Sequence, residues 1–263
     1  MLKRGFLVAA LAVSFLSGPA FSDTTSDLIA HYSFSGSLLD ISGNGNHGTA
    51  VGGLVSTTDR YGNQDGAYLF NGMNSYVHVP NSTSLSSPDT AVTQTAWVYL
   101  NGASLVGQAF GPVIMKSNSS TNAFMYRMTT SPTGMGVAFN NWFNTAGTSP
   151  SLDLHRWYHV ATVFDGDEVR FFLNGAAIDT VDLALTIAQD NRDLTIGGDV
   201  PGILEIFNGK IDEVRIYSRA LTNGDIAEIY GGDVVGIEES LARIGVSLSP
   251  SYPNPTSGQS RVE

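Results

Sequence analysis

The chain has 263 residues, 42% of them hydrophobic, with 29 glycines, no cysteine and a formal net charge of −11. That length holds one large domain with tails, and its apolar content can build a core without disulfides. The acidity argues against a nucleic-acid partner, whose phosphates demand a basic surface, and the missing cysteines exclude a thiol nucleophile.

Lys3 and Arg4 precede an apolar run from Phe6 to Leu16, and Ala20-Phe21-Ser22 follows with small residues at its ends. This is the pattern of a secretory signal peptide over residues 1–22, with cleavage before Asp23. The run is too short to cross a bilayer, and no other stretch is long enough. Leu28 to Phe34 alternates as a first strand. Next, Asp40, Ser42 and Asn44 occupy alternate positions and Gly45 follows. That spacing matches the first half of an EF-hand calcium loop, oxygen ligands and then a glycine for the turn. Val51 stands where the closing glutamate belongs, so a calcium ion here needs a carboxylate from elsewhere. The other reading is a Gly/Asn-rich loop in which Asp40 and Asn44 cap turns. His47 is not expected to be a ligand, because calcium prefers oxygen.

Ala67 to Phe70 and Tyr76 to Val79 read as strands of a hairpin joined by Asn71-Gly72-Met73-Asn74. Thr93 to Leu100 is a strand with Trp97 in the core. Val113 to Lys116 and Ala123 to Thr129 follow, and Met115, Met125, Met128 and Met135 read as core gap-fillers. Asn140 to Asn144 sets Trp142 and Phe143 among amides. Sugars are held by stacking on aromatics and by hydrogen bonds to amides, so Trp142 and Asn141 are predicted ligand contacts. Tyr126 and Arg127, one strand earlier, are assigned to the same surface. The competing reading buries Trp142 at a sheet edge.

Arg156 to Phe164, Val169 to Leu173 and Ala176 to Thr180 form a three-stranded meander turning at Asp165-Gly166-Asp167 and Asn174-Gly175. Leu194 to Gly197 is a short strand. Lys210 to Tyr217 alternates again, with a break of phase at Asp212 and Glu213. Asp212 sits where the apolar face should continue, and an inward carboxylate is unfavourable unless a cation or several donors meet it. It is therefore the expected source of the carboxylate that the early loop lacks. Thr222 and Asp225 form a capping box opening a short helix, with Ile226, Ile229 and Tyr230 turned inward and Gly231 ending it.

The segments HYSFSGSLLDISGNGNHGT, GAYLFNGMNSYVHVP, RWYHVATVFDGDEVRFFLNGAAID and FNGKIDEVRIYSRALTNGDIAEIY, in that order, resemble bacterial laminin-G-like, concanavalin A-like jelly-roll domains. The resemblance runs from Leu28 to Tyr230. It implies an all-β fold over residues 23–236: a jelly-roll sandwich of two antiparallel sheets with one short C-terminal helix. It also implies structural roles for Trp157 and His159, and calcium held by Asp40, Asn44, Asn46 through its carbonyl, and Asp212. In the tail, residues 237–263, Ser249 to Gly258 resembles the opening of a type IX secretion C-terminal sorting domain. That implies the type IX machinery as a partner and the surface or surroundings of a Gram-negative bacterium as the location. The other reading of the tail is a Pro/Ser linker.

No H-E-x-x-H, G-x-S-x-G or phosphate-loop pattern occurs. The E-x-D-x-x-E run of glycosidases on this fold, which sets two carboxylates on one strand face, is absent as well. Asp212 and Glu213 are adjacent and point to opposite faces, and Glu205 stands alone. The expectation is a secreted, calcium-stabilised, noncatalytic module that binds an extracellular glycan or surface protein. The alternatives are a polysaccharide hydrolase or lyase on the same fold, and a structural adhesion domain of a larger surface protein.

Overall fold

A computed structural model describes residues 24–106, 111–118, 123–141, 143–199 and 205–232. The expected signal peptide, Trp142 and the expected sorting tail lie outside these residues. Among the described residues, fifteen strands form two sheets, and one helix follows them.

The first sheet is organised around β15 (Asn208–Tyr217). One edge of β15 pairs along its length with β6 (Val92–Leu100); the other is shared between β4 (Ala67–Asn71) and β1 (Leu28–Tyr32). Beyond β6 come β11 (Trp157–Phe164), β12 (Glu168–Leu173) and β13 (Ala176–Asp182), and beyond β4 comes β3 (Val55–Thr57). The expected meander is therefore present as the β11-β12-β13 half of this sheet. Its Asn174-Gly175 turn has φ of 50° and 78° at the two residues, the left-handed pair that a two-residue hairpin requires. The second sheet runs β10 (Thr145–Thr148), β9 (Gly134–Asn140), β8 (Ala123–Ser131), β7 (Gly111–Asn118), β14 (Leu194–Ile196), β5 (Tyr76–Val79) and β2 (Thr49–Val51).

The predicted hairpin at Asn71 to Asn74 is corrected by this topology. β4 belongs to the first sheet and β5 to the second, so the turn carries the chain between layers. Asn71 Oδ1 accepts the N–H groups of Met73, Asn74 and Ser75. An Asx-type turn of this kind serves a corner as well as a hairpin, and sequence alone does not separate the two.

Between the sheets lies one continuous core, to which Phe70, Val98, Phe171, Ile211 and Ile216 contribute from the first sheet and Val77, Ile114, Met128, Val137 and Ile196 from the second. The first sheet is also buried on its outer face. Helix α1 (residues 223–232) lays Ile226 and Ile229 on Ala161, Val163, Phe172 and Tyr217. Its start is the predicted capping box: Asp225 N–H donates to Thr222 Oγ1 at 3.1 Å, and Thr222 N–H donates to Asp225 Oδ2 at 2.7 Å. Trp97 and Trp157 are buried on this outer face rather than between the sheets, with Tyr230 stacked 5.6 Å from Trp97.

Candidate binding site

The early loop is closed by its own backbone. Asp40 is buried, and its Oδ1 accepts N–H from His31 and Ser42, both at 2.9 Å. Its Oδ2 accepts the Ser42 hydroxyl and the Asn46 N–H, also at 2.9 Å. The Asn46 carbonyl, expected on a metal, accepts the Tyr32 hydroxyl at 2.6 Å. The Asn46 amide donates to Ile29 O and Ser84 Oγ. Asn44 donates its amide to Leu28 O at 2.9 Å. These residues act as turn caps, the second of the two readings their pattern allowed.

Asp212 lies elsewhere in the hydrogen-bond network. The phase break predicted on its strand is a β-bulge, with the β6 pairing shifted between Asp212 and Arg215 and Glu213 at φ 49°. Its Oδ2 meets the Arg60 guanidinium at 2.6 Å, and Oδ1 accepts the Glu213 N–H at 2.8 Å. Arg60 lies 4.5 Å over Tyr61 and 4.6 Å over Trp97. The cation this inward acid requires is therefore an arginine. Burial pushes the Asp212 carboxyl up to about 8 against the pull of Arg60. Asp40, Asn44, Asn46 and Asp212 thus each have a protein partner of their own. Among the described residues, no three His, Asp or Glu side chains gather to hold a metal.

The predicted ligand contacts also separate. Tyr126 is fully buried in the core with its hydroxyl on Leu85 O at 3.1 Å, and burial pushes its phenol well above the usual value. The β8–β9 register shifts between Phe124 and Arg127, and Tyr126, buried, offers no surface to a ligand. Asn141 remains at the surface region and shapes the β9–β10 turn. Its Oδ1 accepts the Phe143 N–H at 2.9 Å, and the turn closes through Phe139 N–H to Asn144 O at 2.9 Å. Asn140, at φ 60°, anchors this turn to the chain after β13 by donating to Thr186 O and accepting from Ala188 N–H. The turn presents Phe143 with 89% of its surface exposed, the most exposed large hydrophobic side chain among the described residues.

Next to this turn, the outer face of the second sheet holds a trough of about 270 Å3 across β8, β9 and β10. Its shape comes from small residues: Gly136 and Ala138 on β9, and Thr145 and Gly147 on β10. A Cβ at Gly147 would stand 3.2 Å from Met135 O, and one at Gly136 3.3 Å from Thr129 Oγ1. Arg127 and Thr129 close the other side. Arg127 is buried and bonds Glu205 Oε2 at 3.3 Å, and buried Asp199 adds its field to the pair. Burial raises the Glu205 carboxyl while Arg127 pulls it down. Glu205, alone in the sequence, is thus an ion-pair partner that fixes Arg127. The amide-rich turn was legible from the sequence. The trough was not, because its signal is an absence of side-chain volume.

A jelly-roll sandwich with an open trough on one sheet defines the class of protein. Residues 71–227, more than half of the chain, match the laminin G type 3 family model described as the concanavalin A-like lectin/glucanases superfamily, and the chain belongs to that family. Human usherin is 31% identical over 85 residues, a match spanning 30% of this chain and 2% of usherin. Among solved structures, domain 4 of AbnA, an extracellular GH43 arabinanase of Geobacillus stearothermophilus solved with arabinotriose, superposes with a TM-score of 0.60 at 20% identity. That match covers 78% of this chain and 98% of the domain. The binding domain of Paraclostridial Mosquitocidal Protein 1 gives 0.62 at 15% identity, over 80% of this chain and 53% of that domain. The binding domain of botulinum neurotoxin DC in complex with SialylT gives 0.57 at 14% identity, over 80% and 52%. The chain spans about half the length of these toxin domains. At such identities the likeness is one of fold.

Proposed function

We propose that this chain is an exported, noncatalytic module that binds a neutral extracellular polysaccharide along the trough of its second sheet. The observation that carries the reading is Phe143, an aromatic held almost fully in solvent by a closed turn beside a trough floored by glycine and alanine. An exposed aromatic is a stacking platform for the apolar face of a sugar ring, and small residues let the ring lie close to the strands. The chain's net charge of −11 favours an uncharged ligand over an acidic one. The arabinotriose complex of the arabinanase domain supports a glycan ligand on this fold. Asp199 and Glu205, the acids whose charge acts on Arg127 at the trough, are both buried, which suits positioning rather than proton transfer to a glycosidic oxygen. Export follows from the residue pattern of 1–22, and mature protein is expected to begin at Asp23 on N-terminal sequencing.

Titration calorimetry against a panel of neutral plant and bacterial polysaccharides tests the site. Phe143→Ala is expected to weaken binding about tenfold, the loss of one stacking contact, with an unchanged melting temperature. No reducing ends are expected to be released. Equal affinity of wild type and variant would overturn the assignment of the site. Affinity for no polysaccharide at all would overturn the function.

A further inference from the structure

Away from the trough, β7 carries a lysine in an unusual setting. The Lys116 side chain has no solvent exposure. Its ammonium donates to Asn81 Oδ1 at 2.7 Å and to the carbonyl of Arg192, with Asp190 Oδ1 at 3.4 Å. The same Asn81 oxygen accepts the Ser86 hydroxyl at 2.8 Å. Asn81 and Asp190 also line an open polar bowl of about 500 Å3. The Lys116 amine and the Ser86 hydroxyl thus converge on the Asn81 side-chain carbonyl, with the Asp190 carboxylate beside the amine and held in place by the Arg192 N–H and guanidinium.

We propose that Lys116 and Asn81 join in an intramolecular isopeptide bond, with Asp190 as the base. Lys116 Nζ, freed of its extra proton, attacks Cγ of Asn81, one bond beyond the oxygen it already contacts. The Nζ–Cγ bond forms and the Cγ–Nδ2 bond breaks. Asp190 takes the proton that Nζ releases and delivers it to Nδ2, which departs as ammonia through the bowl. The Ser86 hydroxyl steadies the oxygen while it carries negative charge. The atoms balance without an oxidant or cofactor. Burial also lowers the Lys116 pKa, with Asp190 and Asp193 opposing, which enlarges the neutral, nucleophilic fraction.

The location gives the bond a purpose. β14, three residues long, lies between β5 and β7 in the second sheet. A bond from Asn81, just after β5, to Lys116 on β7 staples the sheet across this short strand, in a chain with no cysteine for a disulfide.

Proteolytic digestion of the purified protein followed by mass spectrometry decides the matter. The expected result is a branched peptide joining the segments of Asn81 and Lys116, lighter by one ammonia than the two linear peptides together. Asp190→Asn is expected to leave both residues unlinked in a protein whose circular dichroism is native, and with a lower melting temperature. Linear peptides with unmodified Asn81 and Lys116 from natively folded wild-type protein would overturn the proposal, whatever the variant does. A branched peptide from Asp190→Asn in wild-type amount would overturn the role given to Asp190.

Discussion

Asp212 and Arg60 form an ion pair with both side chains nearly out of water. Such a pair gains little over an apolar replacement, but breaking it leaves one buried charge without its opposite. Arg60→Met should therefore destabilise the domain by about 3 kcal/mol above pH 8, where Asp212 is ionised, and by less at lower pH, where it holds a proton; urea unfolding reads both, with Asp212→Asn/Arg60→Met less harmful than the sum of its single changes. Burial lifts the Asp212 carboxyl to about 8, against 3.8 for the free group. Between those values the native state holds a proton that the unfolded chain has released. The contribution of this group is full below the lower value and is lost as pH rises through the upper one. The melting temperature of the wild type should fall from pH 5 to 9 relative to Asp212→Asn, which cannot titrate there; parallel profiles would mean that Arg60 holds the acid ionised throughout. The sequence marked Asp212 because a charge interrupted an apolar face. It did not mark Arg60, which lies 152 positions away in a loop without periodicity, and long-range side-chain pairing leaves no local pattern to read.

Local chemistry was the legible part of the elements. The bulge in β15, the paired positive φ values at Asn174-Gly175 and the Thr222–Asp225 box each depend on neighbours within a few positions, and each was readable. Membership of a sheet was not, because the Asn71 turn has the same chemistry whether it reverses a strand or changes layers. The short edge strands β2 and β3 carry three residues each, too few for alternation to register. The cap gives an element-scale prediction: Thr222→Ala should cost about 1 kcal/mol, visible as a small fall in the urea midpoint without change in slope. A larger effect belongs to Gly209 on β15. Its φ is 151°, and a Cβ there would lie 2.0 Å from the backbone oxygen of Tyr99 on β6. Gly209→Ala must push β15 away from β6 and should cost about 2 kcal/mol or more; a variant as stable as wild type would show that the two strands separate easily.

At the scale of the whole molecule, the two ends of the described chain are already joined without an ion. β1 and β15 pair from Leu28 with Tyr217 to Tyr32 with Val214, so the backbone ladder closes the first sheet. Asp40 seals its loop with three N–H groups and one hydroxyl, and Asp212 is bonded by Arg60. A calcium ion shared between them would have to displace these donors and sit beside a guanidinium. A metal that bound only the folded state at 100 times its Kd would add about 2.7 kcal/mol, raising the melting temperature of a domain of this size by roughly 5–10 °C. With those donors and the Arg60 pair in place, the expected outcome is different: melting temperatures in calcium and in chelator should agree within about 1 °C. A rise of the larger size, lost in Asp40→Ala and in Asp212→Asn alike, would restore the bridging ion and require the Arg60 pair to open when it binds.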